Sequence, residues 1–413
     1  MLKLFNTLSC KLEPFVPLED SKVKMYTCGP STYQRTHIGN YRTFLFEDVL
    51  QRYLEYSGFK VSRLITLTDI EDKAITQAEK ESVSVEELTQ KNEKLFFSDF
   101  DLLKIKVPNY AVRASTIVNN AVELIKVLIS KGYAYKYRYR GEDNFYFEPL
   151  KFKGFGKLAK LDLSKWPKNR RRFHLDTYPG THWNQGDFVL WHGCKQSKIC
   201  WDSGLGKGRP AWNIQDAAIV ISKFGFTIDV ACGGVDNLVR HHDYTIAVAE
   251  AVSGKKFARY WLHGAHLLVE GKKMSKSKGN VFYLNDFLNQ NYRPEQIRFF
   301  LIYTHYRKRL NFTVERLLHF SQKLDKFRRA VNDLRKTETG NSNENSHRLA
   351  DSIVYSFEKN MDNDLDVKTA FEEICVTVEK LRILRKKGRL SKEIAEKALG
   401  NLQRVDKVLQ VIF

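Results

Sequence analysis

The stretch from Val23 to Leu67 constrains the fold more than any other. Val23-Lys24-Met25-Tyr26-Thr27-Cys28 is a short strand-like run, halted by Gly29-Pro30. A polar loop follows. His37-Ile38-Gly39-Asn40 then opens a segment carrying Phe44, Leu45, Val49, Leu50, Tyr53 and Leu54 at near 3.6-residue spacing, the mark of an amphipathic helix. Phe59–Leu67 reads as a returning strand. Strand, helix and strand in that order imply a right-handed parallel crossover, the unit of doubly wound α/β sheets.

Further along, Tyr135–Phe147 reads as a hairpin around Gly141-Glu142-Asp143-Asn144. Ala217–Phe226, Ile228–Cys232 and Tyr260–Val269 resume a helix–strand alternation, so a second half-sheet is expected to close the fold after a long insertion. Beyond Tyr292 the pattern is helical, with amphipathic stretches at Arg316–Arg335, Leu349–Asn360, Val367–Lys387 and Lys392–Val411. The expected architecture is α/β: a doubly wound, Rossmann-type parallel sheet split by an insertion and followed by an all-α region.

Lys plus Arg number 68 against 48 Asp plus Glu, a formal charge of +20 that favours a polyanionic partner. From Glu315 onward the count is 20 basic against 16 acidic, so most of the surplus lies earlier. Lys151–Leu175 holds nine Lys/Arg and one acid, Asp162, with Phe and Trp interleaved. A solvated loop and a contact to nucleic-acid phosphates both fit that tract. No apolar run approaches the ~18–20 residues that span a bilayer, and MLKLFNTLSCKLEPF has no secretory core, so no membrane contact and a cytoplasmic location are expected. The six cysteines show no repeated spacing and are expected as lone thiols in a reducing compartment.

Two segments carry nucleotide chemistry. Thr36-His37-Ile38-Gly39-Asn40 sits between a strand and a helix start, where unpaired backbone N–H groups and the helix dipole favour a phosphate. Gly39 lets backbone approach a ligand closely, while His37 and Asn40 can donate to charge developing on a phosphoryl group. Lys273-Met274-Ser275-Lys276-Ser277 follows an apolar strand-like segment. A loop bearing lysines can close over a triphosphate and neutralise the leaving pyrophosphate.

Together these segments resemble the paired ATP signatures of class I aminoacyl-tRNA synthetases, with Asn40 where a histidine is more usual. LKLFNTL, MYTCGPSTYQRTHIGN, LITLTDIEDKAI, WDSGLGKGRPAWNIQD and WLHGAHLLVEGKKMSKSKGN resemble cysteinyl-tRNA synthetases in that family's order, from Leu2 to about Thr313. The resemblance implies ATP with Mg²⁺, cysteine as the amino acid and tRNA(Cys) as acceptor, in a monomer. It implies that His37, Gly39 and Asn40 hold ATP phosphates and that Lys273 and Lys276 stabilise the transition state. It places Asp236 at the adenosine ribose, and Cys28, Gly29, Thr68 and Trp212 beside the amino acid. The implied organisation is a split catalytic domain (1–110 and 200–300), a connective insertion (111–199), a stem-contact region (301–345) and a helical bundle (346–413). The family usually continues into a small anticodon-reading domain, so part of the tRNA contact is expected to be missing.

Zinc is the point of departure. The family holds it with two Cys, one His and one Glu, a soft ion that prefers sulfur to a serine hydroxyl. Cys28 and His241 match, whereas the second cysteine position holds Asp216 and the glutamate position Thr245. The candidate set is Cys28, Asp216 and His241, with Asp243 or Cys232 as substitutes if geometry allows. The alternative is a small buried thiol without metal. Two other activities fit the same departures: joining cysteine to a small amine, and RNA binding without aminoacylation.

Overall fold

The computed structural model describes residues 1–167, 169–176, 185–194, 199–274, 279–338 and 340–413. A hairpin, β1 (Lys3–Asn6) and β2 (Lys11–Pro14), precedes the first strand of the main sheet, β3 (Lys22–Thr27). Helix α1 (Ile38–Tyr56) crosses back and β4 (Lys60–Leu67) lies parallel to β3, Val23 opposite Val61. Two helices, α2 (Asp72–Glu81) and α3 (Val85–Leu102), lead to β5 (Tyr110–Arg113), parallel to β4. Ser84 starts α3 by accepting a hydrogen bond from the Glu87 N–H, which satisfies an otherwise orphaned donor.

The insertion begins with α4 (Val118–Ser130) and the hairpin β6 (Ala134–Tyr139) and β7 (Glu142–Phe147). β8 (Arg172–Phe173), β9 (Asp187–Gly193) and β10 (Gly208–Pro210) complete a sheet of order β10-β9-β7-β6, with β8 beside β9. One expectation is corrected here. Cys194 and Cys200 are not separate thiols but are joined as a disulfide. The antiparallel pairing of β9 with β10 turns the chain back between them, a proximity that sequence spacing does not show.

The chain then returns through α5 (Trp212–Phe224), β11 (Ile228–Gly234), a π-helical turn at Leu238–Asp243, α6 (Tyr244–Ser253), β12 (Ala258–Gly264), β13 (Leu267–Val269) and β14 (Lys272–Lys273). β11 pairs parallel with both β3 and β12, so the main sheet runs β12-β11-β3-β4-β5. α1 and α3 pack one face through Phe44, Leu45, Phe96 and Phe100. α4, α5 and α6 share a second apolar cluster with the insertion sheet, through Ile125, Ile219, Val248 and Phe188. Helices on both faces make the sheet doubly wound, as the sequence pattern implied. The order reverses between β3 and β11, and in such sheets the crevice beyond the strand ends at the reversal is where ligands bind.

After α7 (Leu284–Leu288) and α8 (Pro294–Tyr303) comes a strand the sequence did not reveal, β15 (Leu310–Phe312), parallel to β13. Three residues are too few to show a period. α9 (Val314–Arg335), α10 (Glu344–Met361), α11 (Val367–Lys386) and α12 (Lys392–Leu409) form the helical end, packed around Ile353, Phe371, Leu381 and Leu402. Buried Arg298 of α8 fastens this end to α1: its guanidinium lies 2.6 Å from Asp48 and donates to the carbonyls of Leu409 (2.7 Å) and Leu103 (2.8 Å). Among the described residues no helix is long and apolar enough to cross a membrane.

Candidate active site

A cleft of about 200 Å³ opens at the sheet reversal. Cys28, Gly29 and Pro30 after β3, and His37, Gly39 and Asn40 at the start of α1, form one wall. Gly234, Asp236 and Asn237 after β11, His266 after β12, and Lys273 and Met274 form the other. Gly29 is required where it stands, because a Cβ there would collide with the Thr66 carbonyl of the neighbouring strand.

His37 is the residue preceding the first turn of α1, and Asn40 Oδ1 accepts from its N–H at 3.4 Å. No acidic side chain stands in that turn, so the positive end of the dipole is not offset there, although the Ile38 N–H is given to the Phe282 carbonyl and the Asn40 N–H to the His37 carbonyl, both at 2.9 Å. A Cβ on Gly39 would meet Met274 Cε, so the lysine-bearing segment packs closely on the helix start through the flexible end of that side chain. Lys273 Nζ lies 3.0 Å from Asp236 Oδ1, and His266 Nε2 lies 3.1 Å from the same oxygen. Burial outweighs the attraction of Asp236 and holds the His266 imidazole below its ordinary range, so it meets Asp236 as a neutral donor.

Deeper in, three side chains form a triangle. Cys28 Sγ is 3.9 Å from Asp216 Oδ2 and 3.7 Å from His241 Nδ1, and the last two atoms are 3.4 Å apart. Tetrahedral zinc with ordinary bond lengths separates S from O or N by about 3.5 Å and N from O by about 3.3 Å. The three atoms thus already lie near one face of a zinc tetrahedron. Among the described residues Asp216 pairs with no Lys or Arg, and a buried carboxylate beside a thiol calls for a cation. Burial and then Asp216 hold the Cys28 thiol well above its ordinary range. The donor set fits zinc, with Cys28 from the end of β3, Asp216 from α5 and His241 from the π-helical turn. Asp243 does not join it, because its carboxylate accepts from the Leu158 (3.1 Å) and Ala159 (2.9 Å) N–H groups of the insertion. Cys232 is buried in the sheet interior and is absent from the cluster.

Residues 14–322 match the family model described as tRNA synthetases class I (C) catalytic domain. The chain belongs to this family. The cysteine--tRNA ligase of Chlamydia pneumoniae is 38% identical over 417 aligned residues, covering 100% of this chain and 86% of the relative. That of Koribacter versatilis is 36% identical over 415, covering 100% and 82%. The solved methionyl-tRNA synthetase of Mycobacterium tuberculosis in complex with methionyl-adenylate superposes with a TM-score of 0.67 at 14% identity, covering 95% of this chain and 90% of that one, a likeness of fold.

Within the class I frame, the structure brings His37, Gly39, Asn40, Asp236, Lys273, Cys28 and Gly29 to one cleft. Trp212 and Thr68 are not in its lining. The Trp212 ring centre lies 4.4 Å from that of His241, and Thr68 is hydrogen-bonded through its backbone to Pro30 and Thr32. Lys276 lies outside the described residues. Sequence reasoning missed Asn237, whose amide reaches Cys28 Sγ at 3.4 Å, and His266, although both stand within quoted or neighbouring motif segments. It also missed Asp176 of the insertion, whose carboxylate accepts from the Trp212 N–H (3.3 Å) and whose carbonyl accepts from the indole N–H. His192 and Arg209 each contact the Asp176 carboxylate at 2.9 Å. Burial alone would raise this acid, yet His192 and Arg209 hold it well below the usual carboxylate range. No local signal marks Asp176, because its partners are far away in sequence.

Proposed function

We propose that the chain activates cysteine with ATP and transfers it to tRNA(Cys). The observation that carries this reading is the position of the Cys28–Asp216–His241 triangle against a cleft walled by His37, Gly39, Asn40 and Lys273. The cysteine carboxylate attacks the α-phosphorus of ATP, the bond to the bridging oxygen breaks, and pyrophosphate leaves. His37 and Asn40 hold phosphate oxygens at the helix start. Lys273, released from Asp236, neutralises charge gathering on the leaving group, with Lys276 as a second cation, while Asp236 turns to the ribose. A hydroxyl of the terminal tRNA ribose then attacks the adenylate carbonyl and AMP departs. Rate comes from positioning and charge rather than from a covalent enzyme intermediate.

Mg²⁺ accompanies the nucleotide. Cys28, Asp216 and His241 would hold zinc, which when bound supplies a soft Lewis acid that selects thiolate over hydroxyl. Trp212 and Thr68 flank the amino acid. Residues 1–110 and 200–300 act as the catalytic domain, 111–199 as the connective insertion, 301–345 as the stem contact and 346–413 as a bundle meeting the tRNA, in a monomer. Incubating the protein with labelled cysteine, ATP and total tRNA tests the reading. Cysteine should become esterified to one tRNA species, and failure with every tRNA while adenylate accumulates would redirect it toward another acceptor.

A further inference from the structure

Tyr26 lies on β3 two positions before Cys28, and the Cys28 N–H carries the ladder onward by donating to the Cys232 carbonyl at 3.1 Å. Both side chains therefore leave the same face of the sheet, where they pack in one cluster with Trp212. The Tyr26 phenol is fully buried, and its hydroxyl makes no hydrogen bond among the described residues. The ionisable groups it faces are Asp216 and Cys28. Cys28 already has a donor. Asn237 Oδ1 accepts from the Gly234 N–H at 2.8 Å, which turns the Asn237 amide nitrogen toward Cys28 Sγ. Among the described residues the Asp216 carboxylate contacts only Cys28 and His241, the other corners of the triangle, and both contacts use Oδ2.

We propose that Tyr26 is a positioning residue of the metal site, its hydroxyl donating to the Asp216 oxygen that is turned away from the metal. The inference rests on the zinc set proposed above and extends it. At neutral pH a phenol O–H donates, and a carboxylate that gives one oxygen to a cation keeps lone pairs on the other. A buried donor and a buried acceptor both lose free energy until they are paired. A thiolate at position 216 would present one ligating atom. The aspartate of this chain presents a second oxygen, and Tyr26 supplies its partner. Carboxylates that ligate metals are held in this way, and the hold fixes their orientation and raises affinity.

Zinc affinity, measured by competition with a chromogenic chelator, is the test. Tyr26→Phe should weaken zinc about 10–100-fold, the range for losing a partner of a metal ligand. Asp216→Cys keeps a ligand but removes the second oxygen, and in that background Tyr26→Phe should change affinity less than about twofold. Melting of the zinc-depleted protein should be unchanged or raised by Tyr26→Phe, because the variant removes a buried hydroxyl that has no partner. Equal zinc affinity of Tyr26→Phe and the unsubstituted chain, or equal weakening in both backgrounds, overturns the inference. A melting temperature lowered by the same amount with and without zinc marks a purely structural tyrosine and overturns it too. An unsubstituted chain that binds no zinc overturns the metal reading and this inference with it. Pyrophosphate exchange with cysteine reports on the proposed activity separately from metal affinity.

Discussion

Met274 packs against Gly39, and through that contact the lysine-bearing segment of the second half-sheet touches the helix start of the first. Gly39→Ala would push the Met274 terminus aside, which its flexible side chain accommodates. The cost then lies at the low end of overpacking, about 1 kcal/mol, which at the transition state is roughly fivefold. Cysteine-dependent pyrophosphate exchange should fall by no more than that with the fold intact by circular dichroism.

Lys273 pairs with Asp236 where both are more than half exposed, so the pair itself adds little stability. Lys273→Ala should therefore leave melting within about 2 °C while lowering adenylate formation about 10²–10³-fold, the range for removing one donor to developing charge. A melting scan beside a single-turnover assay separates the two effects.

The Cys28–Asp216–His241 triangle is expected to hold one zinc per chain. Asp216→Ala and His241→Ala should each lower zinc content after dialysis against a chelator, read by elemental analysis. Full retention of zinc by both variants would place the metal elsewhere. Because sulfur selectivity is assigned to the metal, the depleted protein should also discriminate less between cysteine and serine.

Glu47 gives a pH signature. Its carboxyl is buried against Arg63 at 3.4 Å, and burial, only partly offset by Arg63, pushes it up to about 8. The unfolded chain releases this proton near 4.5, so between roughly pH 4.5 and 8 the folded state holds a proton the unfolded state lacks. Its contribution is complete below that window, declines as pH rises through it and levels off above. Glu47→Gln should flatten the fall in melting temperature between pH 5.5 and 8.

What the sequence disclosed follows physical range. The β3–α1–β4 crossover was legible because its apolar spacing is local, and the two segments proposed to hold ATP stood out because each groups its polar residues within five positions. Lys273 and His37 were read 236 positions apart, and the sheet order put them across one cleft. β15 was hidden by its brevity, and the Cys194–Cys200 bond because six-residue spacing of two cysteines carries no pairing signal of its own. Asp176 was hidden because its role depends on Trp212, His192 and Arg209, brought together only by the folded insertion.

The most direct measurement is ATP–pyrophosphate exchange with each of the twenty amino acids, for the unsubstituted chain and Lys273→Ala. Exchange with cysteine, little with serine, and its collapse in the variant is the expected result. Exchange with no amino acid, or cysteine exchange indifferent to Lys273, would contradict the assignment of this cleft to adenylate formation.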